Sequence, residues 1–175
     1  GNTHFLSAMN LNQRAAGILL HITSLPGPHG IGDFGPEAYR FVDWLQGAKQ
    51  TLWQWLPTTP VGPGDSPYQS PSAFAGSPLM VALEPLVERG WLDEVTLPAE
   101  GFSSTRVDFP RVIPWRDEQL RRASRGFFSR ADAHERAAFT AWCRQEASWL
   151  DEYALFMALF NAHGMKPWWQ WAEPL

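Results

Sequence analysis

The sequence predicts an α/β fold that opens on a parallel βαβ unit and continues into a largely helical stretch. Three observations carry that expectation. Two short apolar runs flank an amphipathic helical segment, a long proline-rich loop follows the second run, and two capping patterns precede apolar helical segments near the end of the chain. Strand, helix and strand in close succession are the trace that a parallel crossover leaves in a sequence.

The first run, AAGILLHI at residues 15–22, ends at TSLPGPHGIG. Consecutive apolar residues bounded by Pro and Gly suit a strand buried on both faces. The helix follows in GPEAYRFVDWLQGAK. Pro36 fits the first helical position, where no needed donor is lost, and Glu37 complements the positive helix start. Ala38, Phe41, Val42, Leu45 and Ala48 then share one face. TLWQWLPTTP, residues 51–60, is the second strand, stopped by prolines that cannot donate to a ladder. Residues 62–78 form a long loop leaving the carboxyl end of that strand.

EPLVERG reads as one or two helical turns, opened by Pro85 and closed by Gly90. Residues 93–114 read as irregular. WRDEQLRRASRGFF forms a helix whose Arg121, Arg122 and Arg125 make a solvated basic face. Asp132 and Glu135 set a capping box ahead of Phe139, Trp142 and Cys143. Ser148 and Asp151 repeat the pattern ahead of YALFMALF, which closes at Gly164 and Pro167. The apolar face of this last helix is wide, with Leu150, Tyr153, Ala154, Met157 and Phe160. The final KPWWQWAEPL has no cap or finished element and reads as a truncated end.

Composition narrows the function classes. A chain of 175 residues suits one ordinary domain or a piece of a larger one. With 45% hydrophobic and 18% charged residues it is globular. A formal charge of -4 gives no basic excess to neutralise phosphates, so no nucleic-acid partner is expected. No apolar run approaches the ~20 residues needed to span a bilayer, so no membrane partner is expected either. GNTHFLSAMN lacks the basic and apolar regions of a secretory signal. Cys143, alone, has no internal disulfide partner and no zinc spacing; a reducing, cytoplasmic compartment is expected.

Gly30, Gly32 and Gly35 in GIGDFG have the spacing of a dinucleotide fingerprint. No acidic residue ends the second strand, where WQWLP stands, and no cofactor is expected. Tryptophan is the outlier, with 10 residues beside 11 phenylalanines and three tyrosines. Aromatic rings fill cores, and their faces also stack on the C–H faces of sugars.

Three segments, GILLHITSLPGPHGIGDFG, LWQWLPTTPVGPGDSPYQSPSAFAGSP and WLDEYALFMALF, occur in this order over residues 17–171. With their order and similar spacing, the chain resembles the 4-α-glucanotransferases (amylomaltases, or disproportionating enzymes) of glycoside hydrolase family 77. The resemblance implies the N-terminal part of a TIM-type (β/α)8 glycosidase barrel with a largely helical insertion. Residues 1–14 are then an N-terminal tail or cloning remnant, and 15–60 the first βαβ unit of the barrel. Residues 61–131 are the substrate-side loop and an irregular, helical insertion, and 132–175 a helical segment.

In such barrels the reactive groups sit on loops leaving the C-terminal ends of the strands. The resemblance therefore implies that residues 62–78 form one wall of a glucan cleft, with Ser66 and Tyr68 facing substrate near the scissile bond. An aromatic ring there can stack on glucose, and its hydroxyl can bond a sugar hydroxyl or a carboxylate. His21, near the first strand's end, reads equally as a hydrogen-bonded structural histidine or a substrate contact. Phe74, Trp53 and Trp55 are expected to pack between barrel and loop, and the tryptophans at 168, 169 and 171 to fill a core or subdomain interface.

The family acts by retaining double displacement, with one carboxylate as nucleophile and a second carboxyl protonating the leaving oxygen. The resemblance places those acids on later barrel strands, so no catalytic residue is expected in this chain. Asp65 and Asp108, the two acids that could approach a cleft, read as turn formers. The implied function is transfer of α-1,4-glucan segments between maltooligosaccharides without metal or organic cofactor, the 175-residue chain being inactive alone. A non-catalytic glucan-binding or structural module is the alternative. The implied partner is an α-1,4-glucan or maltooligosaccharide, with self-association through exposed barrel edges. Three positions depart from the family: Ile22 replaces a proline, Ser77 an asparagine, and Pro63 lies near a tyrosine that some members use in a second glucan patch.

Overall fold

The computed structural model describes residues 14–171; residues 1–13 of the tail expected at 1–14, and the last residues of KPWWQWAEPL, 172–175, lie outside them. Strands β1 (Gly17–Leu19) and β2 (Leu52–Gln54) pair in parallel, with Gly17 opposite Leu52, Ile18 opposite Trp53 and Leu19 opposite Gln54. Helix α1 (Pro36–Gly47) is the crossover between them. Pro36 occupies the first turn with Glu37 beside it, as the sequence implies. The pairing runs on through Leu20 N to the Gln54 carbonyl at 2.9 Å and Thr51 N to the Ala16 carbonyl at 2.9 Å.

Both strands are shorter than expected, and neither is buried on both faces: Leu19 is 60% exposed and Leu52 is exposed as well. Burial on two faces requires layers on both sides of a sheet, and among the described residues the sheet has two strands. The same lack of cover narrows the buried stripe of α1 to Ala38 and Leu45. Val42 and Ala48 are exposed, while Phe41 packs half-buried, edge-on to Trp53 at 4.8 Å.

Four more helices follow: α2 (Glu84–Glu88), α3 (Phe109–Arg130), α4 (Ala133–Gln145) and α5 (Leu150–Ala162). Helix α3 begins inside the stretch expected to be irregular. Pro110 lies in the first turn, where its missing N–H has no carbonyl to serve. Pro114 removes one bond further in. The stripe Val112, Arg116, Gln119, Ala123 and Gly126, all buried, carries the helix across that gap.

The capping box of α4 forms as expected: Asp132 Oδ1 accepts from Glu135 N at 2.8 Å, and Glu135 Oε2 accepts from Asp132 N at 3.0 Å. The box expected at Ser148 and Asp151 does not form; Trp149 stands at the start of α5 without a side-chain cap. The Glu146 carbonyl accepts from both Trp149 N (3.1 Å) and Leu150 N (3.0 Å), so a turn continuing from α4 makes the start. The wide apolar face of α5 is uncovered, with no residue of the helix buried. Trp168 and Trp169 are exposed and fill no core, while Trp171 stacks on His163 at 4.8 Å.

The core centres on Ile31, Leu79 and Val112, with Phe102, Val107 and Ile113 packed around them. It joins the loop after β1, the end of the loop after β2, and α3. Loops and a helix thus hold the carboxyl end of the sheet. Among the described residues no helix is long and apolar enough to cross a membrane.

Candidate functional site

Parallel strands send both of their following loops to one end of the sheet, the end where open α/β folds place ligands. The loop after β2 is an ordered structure built by its own small residues. Gly62 N donates to the Ser66 carbonyl at 3.0 Å, Asp65 N to the Gly62 carbonyl at 3.1 Å, and Gln69 N to the Ser66 carbonyl at 3.4 Å. Gly62 is required by close approach, since a Cβ there would overlap the Gln69 carbonyl.

The serines then tie the chain to itself. Ser66 Oγ accepts from Tyr68 N at 3.3 Å, and Ser70 Oγ donates to the Ser72 carbonyl at 2.8 Å. Ser72 Oγ accepts from Phe74 N and Ala75 N, both at 3.1 Å. Such side-chain-to-backbone bonds replace a ladder or helix as the partner of loop amides. Ser77 N, donating to the Thr58 carbonyl at 2.8 Å, pins the loop's far end beside its root. The Ser77 hydroxyl is buried without a partner among the described residues.

The outcome is a braced loop that holds two rings in the open: Tyr68 is 71% exposed and Phe74 73%. Ser66 lies half-buried one turn inside Tyr68 and orients its backbone. Phe74 does not pack between sheet and loop as expected, because Ser72 turns the backbone outward at that point. Trp53 does so, donating its indole N–H to the Leu20 carbonyl at 2.8 Å, and Trp55 packs edge-on to it at 5.2 Å while staying partly exposed.

His21 sits on the other loop at the same end of the sheet. Its Nδ1 is buried without a partner among the described residues, and burial lowers its pKa. No hydrogen bond joins it to Ser66 or Tyr68 among the described residues. Asp65 and Asp108 are turn residues: Asp65 has a positive φ of 57°, and the Asp108 carbonyl accepts the first amides of α3.

Sequence reading missed a second cluster, beneath the first loop. Arg116 of α3, 0% exposed, donates to Asp33 Oδ2 at 3.1 Å and to the Val81 carbonyl. Asp33 Oδ1 also accepts from Gly35 N at 2.9 Å, and His29 Nδ1 lies 3.7 Å from Glu84 Oε1. His29, Asp33 and Glu84 place ligand atoms within 4.8 Å of one another. That set resembles a metal site or a pair of catalytic carboxylates, but the guanidinium already occupies the position of the cation. The cluster ties three elements together. One signal was legible: Arg116 falls on the buried stripe of its helix, between Val112 and Ala123.

Burial pushes the Asp33 pKa up against the opposing pull of Arg116. It lowers that of His29, with Arg116 adding to the effect and Glu84 and Asp33 opposing it. The Arg116 pKa is lowered by the same burial. A histidine whose pKa is lowered on folding takes up its proton first in the unfolded chain, so stability is lost as pH falls through the ordinary value of 6.5. Asp33 works oppositely, since its raised pKa adds stability as pH falls through the folded value toward 3.8. The melting temperature is therefore expected to drop between about pH 7.5 and 5.5. His29→Gln should remove part of that drop, and an unchanged pH profile in the variant would contradict the assignment.

A concavity of about 570 Å³ lies elsewhere, between α2, α3 and α4, lined by Leu86, Trp91, Phe127, Phe139 and Trp142. Its lining is mostly apolar; Arg89, His134 and Glu135 are its charged or titratable members, and the Glu135 carboxylate is engaged in the α4 cap.

Open α/β folds place ligands at the carboxyl ends of their parallel strands, the end at which this chain holds its braced aromatic loop. The comparisons with known proteins are more particular. The family model for 4-alpha-glucanotransferases, glycoside hydrolase family 77, matches residues 20–175. The 4-alpha-glucanotransferase of Thermus thermophilus is 51% identical over 162 residues, which cover 93% of this chain and 32% of that protein. The enzyme of the same description from Synechocystis is 41% identical over 166 residues, covering 94% and 33%. Among solved structures, an amylomaltase from Streptococcus agalactiae in complex with acarbose superposes with a TM-score of 0.84 at 37% identity, covering 92% of this chain and 32% of that one. The chain belongs to the 4-alpha-glucanotransferase family. It spans about a third of the length of these relatives.

Proposed function

We propose that the chain forms one wall of the α-1,4-glucan cleft of a 4-α-glucanotransferase that transfers glucan segments between maltooligosaccharides. The observation that carries this is the braced loop, which holds the Tyr68 ring uncovered at the carboxyl end of the parallel strands. In this reading residues 15–60 open a TIM-type barrel, 61–131 supply the substrate-side loop and a helical insertion, and 132–175 continue as helices. The similarity to a relative solved with acarbose supports a sugar in the cleft.

The reaction is a retaining double displacement, in which two carboxyl groups flank the scissile bond. Residues 14–171 do not supply them. The close pair Asp33 and Glu84 faces a buried guanidinium, and Asp65 and Asp108 are turn residues. The contribution of this chain is placement. Ser66 sets the Tyr68 backbone, Tyr68 stacks on a glucose ring and can bond its hydroxyls, and His21 lies at the neighbouring strand end. Fixing a sugar beside the reacting groups removes entropy from the barrier before chemistry begins. The setting is cytoplasmic, which the free thiol of Cys143 supports. The open edges of the two-stranded sheet favour self-association.

Titration of the chain with maltoheptaose tests this reading. Tyr68→Ala should weaken binding about tenfold, a change of ~1.4 kcal/mol, and Tyr68→Phe should retain most of it, because stacking is the main contribution. Equal affinity in wild type and Tyr68→Ala would remove the support for the cleft wall. Incubation of the chain alone with maltotriose should yield no disproportionation products.

A further inference from the structure

His21 lies on the loop after β1 and Tyr68 on the loop after β2, so their separation is set by whatever spans the two loops. At the roots, Leu20 N donates to the Gln54 carbonyl at 2.9 Å and Trp53 Nε1 to the Leu20 carbonyl at 2.8 Å. At the far ends, Phe34 N donates to the Met80 carbonyl at 3.1 Å. Arg116 flanks that bond. Its Nη2 donates both to Asp33 Oδ2, at 3.1 Å, and to the Val81 carbonyl. One nitrogen of α3 thus holds the residue before Phe34 and the residue after Met80. Val112, one turn earlier on the same helix face, packs with Ile31 and Leu79. That contact is apolar and non-directional, whereas a charge-assisted hydrogen bond fixes direction.

We propose that Arg116 is a positioning residue for glucan binding: by holding Asp33 and Val81 on one nitrogen, it sets the loop that carries His21 against the exit of the loop that carries Tyr68. The inference rests on the reading of these loops as a glucan wall. A purely stabilising role fits the residue poorly. Arg116 is 0% exposed, and its Nε and Nη1 have no partner among the described residues. Desolvation of a guanidinium so sparsely paired offsets much of its attraction to Asp33, and apolar side chains of like volume often replace such pairs without loss of stability. What an apolar side chain does not supply is a donor aimed at two acceptors on two different loops.

The test separates stability from binding. Maltoheptaose affinity is measured by NMR titration, beside the denaturation midpoint, for the wild-type chain, Arg116→Lys, Leu92→Ala and the double variant Arg116→Met with Asp33→Asn. The double variant removes both charges, so it should be more stable than Arg116→Met alone and still bind maltoheptaose about fivefold more weakly than wild type. Arg116→Lys keeps the charge but offers a point donor on a flexible stem, and should lose roughly twofold. Leu92→Ala empties a buried site outside both loops; it should lower the midpoint and leave the affinity of the folded chain unchanged. Wild-type affinity in the double variant would overturn the positioning role and leave the loop reading intact. Should the double variant not fold, wild-type affinity in Arg116→Lys overturns it instead. A loss in Leu92→Ala as large as that in the Arg116 variants would also overturn it, by making binding a readout of stability alone. If the wild-type chain does not bind maltoheptaose, the loop reading fails and takes this inference with it.

Discussion

Arg116→Met is expected to destabilise the fold by about 3–5 kcal/mol, the usual loss when one member of a buried ion pair is removed. The substitution preserves much of the side-chain volume and removes the charge. Asp33 would then keep a carboxylate in a poorly solvated site with only the Gly35 amide donating to it, and the Val81 carbonyl would lose its donor. The loop after β1, the start of α2 and the middle of α3 would lose the group that joins them. Against a total stability of roughly 5–15 kcal/mol, that loss leaves a large unfolded population at ambient temperature. Two companion results separate a charge effect from a packing effect. The deficit should shrink as pH falls, because Asp33, its pKa already raised by burial, takes up a proton before an ordinary carboxylate would and no longer needs the guanidinium. Combining Arg116→Met with Asp33→Asn should recover part of the stability, since removing both charges leaves no uncompensated ion. A denaturation midpoint in Arg116→Met equal to wild type would show that the cluster does not tie these elements together.

Gly62→Ala should act mainly on binding. Its Cβ would overlap the backbone carbonyl of Gln69, which cannot rotate away as a side chain can. The turn must open, releasing the bonds from Gly62 N and Gln69 N to the Ser66 carbonyl, and Tyr68 loses the frame that aims it. The cost in global stability should be modest, about 1–3 kcal/mol as for other local overpacking. Maltoheptaose affinity should fall more than tenfold. Gly76→Ala is the internal control: nothing lies within 4 Å of a Cβ at that position of the same loop. It should bind like wild type and gain up to about 1 kcal/mol through a less disordered unfolded state. Matching affinities for the two variants would mean that the loop's shape does not set the site.

Local patterns in the sequence were reliable where local physics decides the outcome. The βαβ unit follows from apolar runs and a helix stripe, and the α4 cap from Asp132 and Glu135 three residues apart. The loop at 62–78 is recognisable from its composition, but its bracing by Ser66, Ser70 and Ser72 depends on backbone angles that composition does not set. Failures occur where tertiary cover decides. The first apolar run reads as a strand buried on both faces, yet Leu19 has too little of the sheet around it. Pro110 and Pro114 masked the start of α3, which Val112 and Arg116 hold through contacts far away in sequence. Arg116 and Asp33 are 83 residues apart, and no spacing rule pairs them. Phe74 is exposed because of a serine two residues earlier, a consequence visible only once the turn is built.

The chain's three tyrosines allow its central claim to be read directly: Tyr39 lies exposed on α1, Tyr68 on the loop, and Tyr153 on α5. With ring-labelled tyrosine and increasing maltotriose, the Tyr68 resonances should shift in a saturable way while those of Tyr39 stay fixed. Saturable sugar binding that leaves Tyr68 unmoved would contradict the account.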